Sequence, residues 1–228
     1  MGRIKSLVNL NLEYTEITDE GLRELANLEN LTTLDLQRTQ VTGIGLKDLS
    51  ELKHLTMLSL WNNEITDEGM KGVGTLKSLE KLYFWEGKVT DTGLKELSVL
   101  KNLTMLDLQC LPITDAGLVA LAELDQLKEL NLRATGVTNE GMKDVAKLKS
   151  LTHLHLSQTK VADTGMKDVG QLKNLTILTL GCNEITDAGL KDLTELKNLT
   201  YLNLWGTKAT KLGVKELKKS LPNTDIFR

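Results

Sequence analysis

Aromatic residues are scarce in this chain: three Trp, three Tyr and two Phe among 228 residues. A core of any size must therefore be aliphatic, and each ring asks for its own explanation. Long apolar runs are missing as well. Nowhere do eighteen apolar residues follow one another, so no membrane-spanning helix is written here, and the opening MGRIKSLVNLNLEY lacks the apolar centre of a secretion signal. The expectation is a soluble, unexported chain. MGRIKS does fit an N-myristoylation pattern through Gly2 and Ser6, although Met-Gly is also an ordinary start. Neither charge dominates: a net charge of -3 provides no basic field for phosphates, so neither nucleic acid nor a membrane is expected as a partner. No G-x-G-x-x-G or P-loop follows a strand, no CxxC or HExxH is present, and no nucleophile, base and oxyanion site occur together. No enzymatic activity and no cofactor are expected.

What is present is a period of 24 residues. Leucine recurs from Leu7 through Leu31, Leu55, Leu79, Leu103, Leu127, Leu151 and Leu175 to Leu199, with a second leucine three residues later and a third two beyond that, except at Phe84. Each of the nine LxxLxL segments is followed by a small or polar residue, then Ile or Val, then typically T-D-x-G-L. These repeats resemble the leucine-rich repeat family over essentially residues 4–227, and ITDEGLRELANLENL is similar to the T-D-x-G-L repeats of many bacterial members and of the F-box-associated subtype. The resemblance implies an α/β solenoid, a horseshoe with a concave parallel β-sheet and convex helices.

The residue pattern by itself implies the same architecture. Alternation in LxxLxL marks a strand with one buried face, while Leu22, Leu25 and Leu28 recur at helical spacing behind an Asp, Asn or Thr able to cap. Neither element buries its apolar side alone, and stacking the units produces one sheet and one helical row around a continuous leucine core. Strands sit about 4.8 Å apart and helices about 8 to 10 Å apart, so the stack bends with the sheet inside. Nine of the eighteen glycines, Gly21 to Gly213, fall at one repeat position and let the first helical turn approach its neighbour. Pairs such as Lys47/Asp48 and Lys95/Glu96 mark the solvated convex side.

The expected organisation is a single domain over 1–228, with nine units from Leu7, a partial unit before it and a terminal cap over about 208–228. Ile4 stands where other units have Leu28 or Leu52, leaving the first strand without a visible cap and open to association at that end. At the other end Pro222 closes the helix, Lys215, Lys218, Lys219 and Arg228 coat the surface, and Ile226 and Phe227 form a short edge strand.

In LYFWEG the register sends Phe84 inward and Tyr83 and Trp85 outward. Trp61, Trp85 and Trp205 then share one concave column, Tyr83 and Tyr201 lie in earlier columns, and Tyr14 sits at a strand exit. Exposed aromatics are the composition of an interaction hot spot, although adjacent rings such as Trp61 and Trp85 can also simply stack. Met57, Trp61, Lys81, Tyr83, Trp85 and Met105 are expected to form one patch, and Tyr201 with Trp205 a second. Asp35, Gln37, Arg38, Glu86, Asp107, Gln109 and Arg133 would set orientation. His153 and His155 face the same side, with Glu129 beside His153, which makes them a candidate metal set more readily read as polar surface. Cys110 and Cys182, three units apart, are separated by roughly 14 Å, too far for a disulfide. Free thiols favour a reducing, cytoplasmic compartment. The run CLPITD puts Leu111 and Pro112 where other units are polar. The expected function is non-enzymatic docking of a protein or peptide on the concave face. Alternatives are glycan binding, the recognition arm of a larger enzyme such as a ubiquitin ligase, and a designed scaffold without a native ligand.

Overall fold

The computed structural model describes residues 6–228; Gly2 and Ile4, which carry the acylation pattern and the partial unit, lie outside them. Ten three-residue strands form one parallel sheet in chain order: β1 (Asn9–Asn11), β2 (Thr33–Asp35), β3 (Met57–Ser59), β4 (Lys81–Tyr83), β5 (Met105–Asp107), β6 (Glu129–Asn131), β7 (His153–His155), β8 (Ile177–Thr179), β9 (Tyr201–Asn203) and β10 (Asp225–Phe227). Every pairing keeps the sequence period, from Asn9↔Thr33 to Tyr201↔Asp225. The middle residue of each of β2 to β9 is a buried leucine, and Phe84 is 2% exposed, as alternation requires. Ile226 and Phe227 extend the sheet as expected, although Phe227 remains exposed.

The strands are short because the chain turns abruptly after each one. Tyr14, Arg38, Asn62, Glu86, Cys110, Ala134, Gln158 and Cys182 all have φ between 52° and 61°, and Gly206 has 73°. A left-handed conformation costs a non-glycine residue about 1–2 kcal/mol. Here cross-strand bonds hold it in place: Arg38 N–H donates to Trp61 O at 2.9 Å, Asn62 N–H to Trp85 O at 2.8 Å, and Cys182 N–H to Trp205 O at 2.7 Å. Ladder bonding therefore continues past the regular strands.

Opposite the sheet the helical segments are shorter than the leucine spacing suggests. Four are single α-turns such as Asp91–Leu94 running into a 3₁₀ stretch, the second unit has only the 3₁₀ segment Ile44–Leu49, and just Asp67–Val73, Asp163–Val169 and Lys211–Ser220 reach seven residues or more as α-helix. The T-D-x-G motif acts between units. Asp115 accepts from Thr138 N–H at 2.7 Å and from the Thr138 hydroxyl at 2.6 Å. Asp67 does the same to Thr90 and also accepts from Gly93 N–H at 3.1 Å. A β-carbon at Gly93 would lie 2.5 Å from that carboxylate, so the glycine makes room for the preceding unit's aspartate. Where Gly43 replaces the aspartate, its φ is 97° and the carboxylate link is replaced by a longer backbone bond, Thr66 N–H donating to Thr42 O at 3.3 Å.

The irregular fifth unit is a compensated exchange. Thr39, Thr135 and Thr159 at the equivalent position return a hydroxyl bond to the strand, and Asn63 and Asn183 reach back into the preceding unit. Leu111 instead buries its side chain, with Cδ2 lying 3.4 Å from where a Gly87 β-carbon would be. At the first unit Leu7, Leu10, Leu12 and Ile17 are only partly buried, whereas the last unit is closed by Leu221 and by Thr224, whose hydroxyl donates to Leu199 O at 2.6 Å. Among the described residues no helix is long and apolar enough to cross a membrane.

Candidate functional site

The open face of the sheet carries three outward columns, set by the first and third residues of each strand and the residue two further on. Met57, Lys81 and Met105 stand in register across β3 to β5, and Ser59, Tyr83 and Asp107 form the next column. The two methionines are half-buried, whereas Lys81 is exposed. Trp61 and Trp85 lie past the strand ends and pack on each other edge to face, with ring centroids 5.2 Å apart at 84°. Both rings are partly buried, and both indole N–H groups are enclosed without a hydrogen-bond partner.

The tryptophans also have neighbours outside the expected patch. The tryptophans share a hollow of about 270 Å³ with Tyr14, Arg38, Asn62 and Glu86, at the strand-exit side of the face. The Arg38 guanidinium lies 4.7 Å from the Tyr14 ring centroid and donates to the Tyr14 hydroxyl. Met57, Lys81 and Met105 are not among the residues lining that hollow. Tyr83 is half-buried, and burial followed by the negative charges of Glu129 and Asp107 pushes its phenol above the usual range.

Next to Tyr83 runs a polar clamp. Asp107 is 5% exposed, and burial raises its carboxyl above the usual range despite bonds from Gln109 and Asn131. Gln109 donates to it twice, from the backbone at 3.0 Å and from Nε2 at 3.1 Å. Gln37 treats Asp35 in the same way. Gln109 thus has its amide committed to the sheet.

The second expected patch divides. Tyr201 packs on Phe227 with centroids 5.2 Å apart. Trp205, 66% exposed, instead walls a notch of about 390 Å³ that reaches across to Arg133. Ser157 and Gly181 occupy the outward position between them, so the notch exists because two side chains there are small. No motif announces it; reading that one position down the units, Gln109, Arg133, Ser157, Gly181, Trp205, would have shown the dip.

Glu129 pairs with His153 in backbone register, yet its carboxylate approaches His155, Nε2 to Oε1 3.9 Å, while His153 Nδ1 meets the Thr152 hydroxyl at 2.8 Å. Burial lowers the His155 pKa, opposed by Glu129 and assisted by His153. Among the described residues no three His, Cys, Asp or Glu side chains converge as metal ligands. Cys110 and Cys182 are exposed free thiols on the left-handed turns.

A family profile described as leucine-rich repeat region matches residues 1–216. No curated protein sequence matches the chain. Among solved structures, the LRR protein LIC12759 of Leptospira interrogans is 27% identical and superposes with a TM-score of 0.73 over 98% of this chain and 61% of its own. The chain thus spans less than two thirds of that protein's length. An internalin, inlF, from Listeria monocytogenes is 20% identical with a TM-score of 0.69, covering 98% of this chain and 74% of its own. Internalin C2 from the same species is 22% identical with a TM-score of 0.56, covering 100% and 81%. At those identities the two internalins share the fold.

Proposed function

The chain belongs to the leucine-rich repeat family, a fold that implies a protein-interaction scaffold, and on that premise we propose that it docks a protein or peptide across the concave face of its sheet, with Trp61, Tyr83 and Trp85 as the central anchors. The carrying observation is the tryptophan pair: two indoles on an outward column, each with an N–H that has no partner in the chain. An unspent, enclosed donor costs about 1–3 kcal/mol, which a partner's carbonyl would relieve once docking turns the half-buried indole enough to expose its N–H. Arg38 and Glu86 beside them supply charges of both signs for orientation. Since the backbone beneath is fixed by the ladder, docking orders few additional groups. Proteins of this family are typically interaction scaffolds, and the proposal assigns no reaction.

Affinity capture with the wild type beside a Trp61/Tyr83/Trp85 triple-alanine variant tests the reading, followed by calorimetry on the captured partner. Trp85→Ala is expected to weaken binding by at least about 2 kcal/mol. A loss below about 0.5 kcal/mol with unchanged stability, within the range of an ordinary surface substitution, removes the anchor role.

A further inference from the structure

The notch between Arg133 and Trp205 has a chemical bias of its own. Its floor is rigid: Gly181 N–H donates to the Ser157 hydroxyl oxygen at 3.1 Å. Arg133 is its one permanently charged lining residue, and no carboxylate lines it. Arg133 Nε donates to Gln158 Oε1 at 3.0 Å, which orients the guanidinium without using its two terminal nitrogens. Asn203 spends its carbonyl on Trp205 N–H at 2.8 Å, so its amide nitrogen remains a donor. Glu129, the acid of the same strand, does not itself line the notch; its carboxylate meets one lining residue, His155, with Nε2 to Oε1 3.9 Å. The notch therefore offers a positive charge at one end and, at the other, an open indole beside an amide donor.

We propose that this notch seats an extended acidic peptide, with an Asp or Glu carboxylate forked on Arg133 and an apolar or aromatic side chain lying on Trp205. The inference rests on the reading of the chain as a peptide-docking scaffold and names the partner's chemistry. Charge complementarity selects the carboxylate, since a planar acid matches the guanidinium fork. Spacing selects the rest. Arg133 and Trp205 stand three strands apart, about 14 Å, and an extended peptide advances about 3.3 Å per residue, so the two side chains are about four residues apart. An even separation also places both on the same side of the peptide.

The probe is a fluorescein-labelled octapeptide with Glu and, four residues later, Phe in an Ala/Ser background, read by anisotropy beside its Gln-for-Glu analogue. The Glu peptide is expected to bind about tenfold more tightly than the Gln analogue, and Arg133→Gln to erase that difference. Ser157→Trp fills the notch with a side chain the fold already carries at positions 61, 85 and 205 and is expected to reduce affinity more than about tenfold. Lys95→Gln, on the helical side, removes a positive charge elsewhere and leaves the affinity unchanged. Equal binding of the Glu and Gln peptides, or an unaltered preference in Arg133→Gln, overturns the proposal. So does binding of oligogalacturonate, blocked by Ser157→Trp, in the absence of peptide binding, which would make the notch an acidic-glycan site. If every peptide arm fails while the triple-alanine variant still loses the captured partner, this inference falls and the general docking reading stands.

Discussion

Asp115→Ala tests whether the stack is held by carboxylates that cross from one unit to the next. Asp115 accepts two bonds from Thr138, at 2.7 and 2.6 Å, on a partly buried seam. Hydrogen bonds to a charged group contribute about 1.5–3 kcal/mol each when well shielded, and with solvent access the pair is worth about 2–3 kcal/mol. For a chain of this size, that lowers Tm by about 4 to 12 °C. The chain contains its own control: Asn139 stands in the aspartate's place and meets Ala162, which has no hydroxyl, accepting from Ala162 N–H at 2.7 Å and Gly165 N–H at 3.1 Å. The double variant Asp115→Asn/Thr138→Ala copies that pair and is expected to lie within about 1 kcal/mol of wild type, because the backbone bond survives. A cycle of Asp115→Ala, Thr138→Ala and both, read by urea unfolding with circular dichroism, should return a coupling of at least about 1 kcal/mol. Asp125→Ala, at an exposed site, should cost less than about 0.5 kcal/mol. If Asp115→Ala matches Asp125→Ala, or the coupling is below about 0.3 kcal/mol, the inter-unit role is wrong.

Two further outcomes follow from local chemistry. Burial raises the Asp107 pKa, so the native state takes up this proton before the unfolded chain does at about 3.9; at neutral pH the ionised group lowers stability, and that penalty is relieved as pH falls through the folded pKa. Asp107→Asn should therefore gain most relative to wild type at pH 7 and lose that advantage towards pH 4, and a Tm difference constant with pH contradicts this. Leu111→Ala opens a cavity that Gly87 cannot fill and should cost about 2–4 kcal/mol in chemical unfolding; a loss under about 1 kcal/mol would show that the site collapses around the missing side chain.

The sheet was legible because burial alternates with the same period as the residues. Leu82 and Phe84 inward with Tyr83 between them requires only that strand side chains alternate, and the last strand followed from Ile226 by the same rule. The helical side was harder to read. Leu22, Leu25 and Leu28 are spaced by three, which suits a 3₁₀ turn as well as an α-helix, since residues three apart eclipse in the former. The structure mixes the two over Asp19–Leu25. Of the residues able to cap, the threonine caps its own helix, as Thr90 and Thr186 do, whereas the aspartate bonds the next unit; T-D-x-G does not say in which unit its partner lies, and the hydroxyl and amide that donate to it are 23 residues further on, as with Asp115 and Thr138. Left-handed residues gave no signal either. Tyr14, Arg38, Glu86 and Gln158 do not favour that conformation, and they adopt it because cross-strand bonds such as Gln158 N–H to Gly181 O at 2.8 Å outweigh the local cost.

The same division of labour explains why the candidate site was only half visible. Register determines which side a residue faces, so Trp61, Trp85 and Trp205 could be placed outward, but it does not determine which neighbour a long side chain leans on. Trp61 and Trp85 lean on each other and towards Arg38 and Tyr14, while Tyr201 leans on Phe227 rather than completing a patch with Trp205. The notch is made by what Ser157 and Gly181 lack, and small residues carry no chemical signal in a sequence. Stability in this chain resides mainly in the inward leucines and in the Asp-Thr-Gly seam, with outward residues adding to it only where they bond back to the sheet, as Gln109 does to the buried Asp107. Arg133 and Trp205 make no such bond to the strands beneath them through their side chains, so the stack itself does not account for an arginine and an indole at those two places.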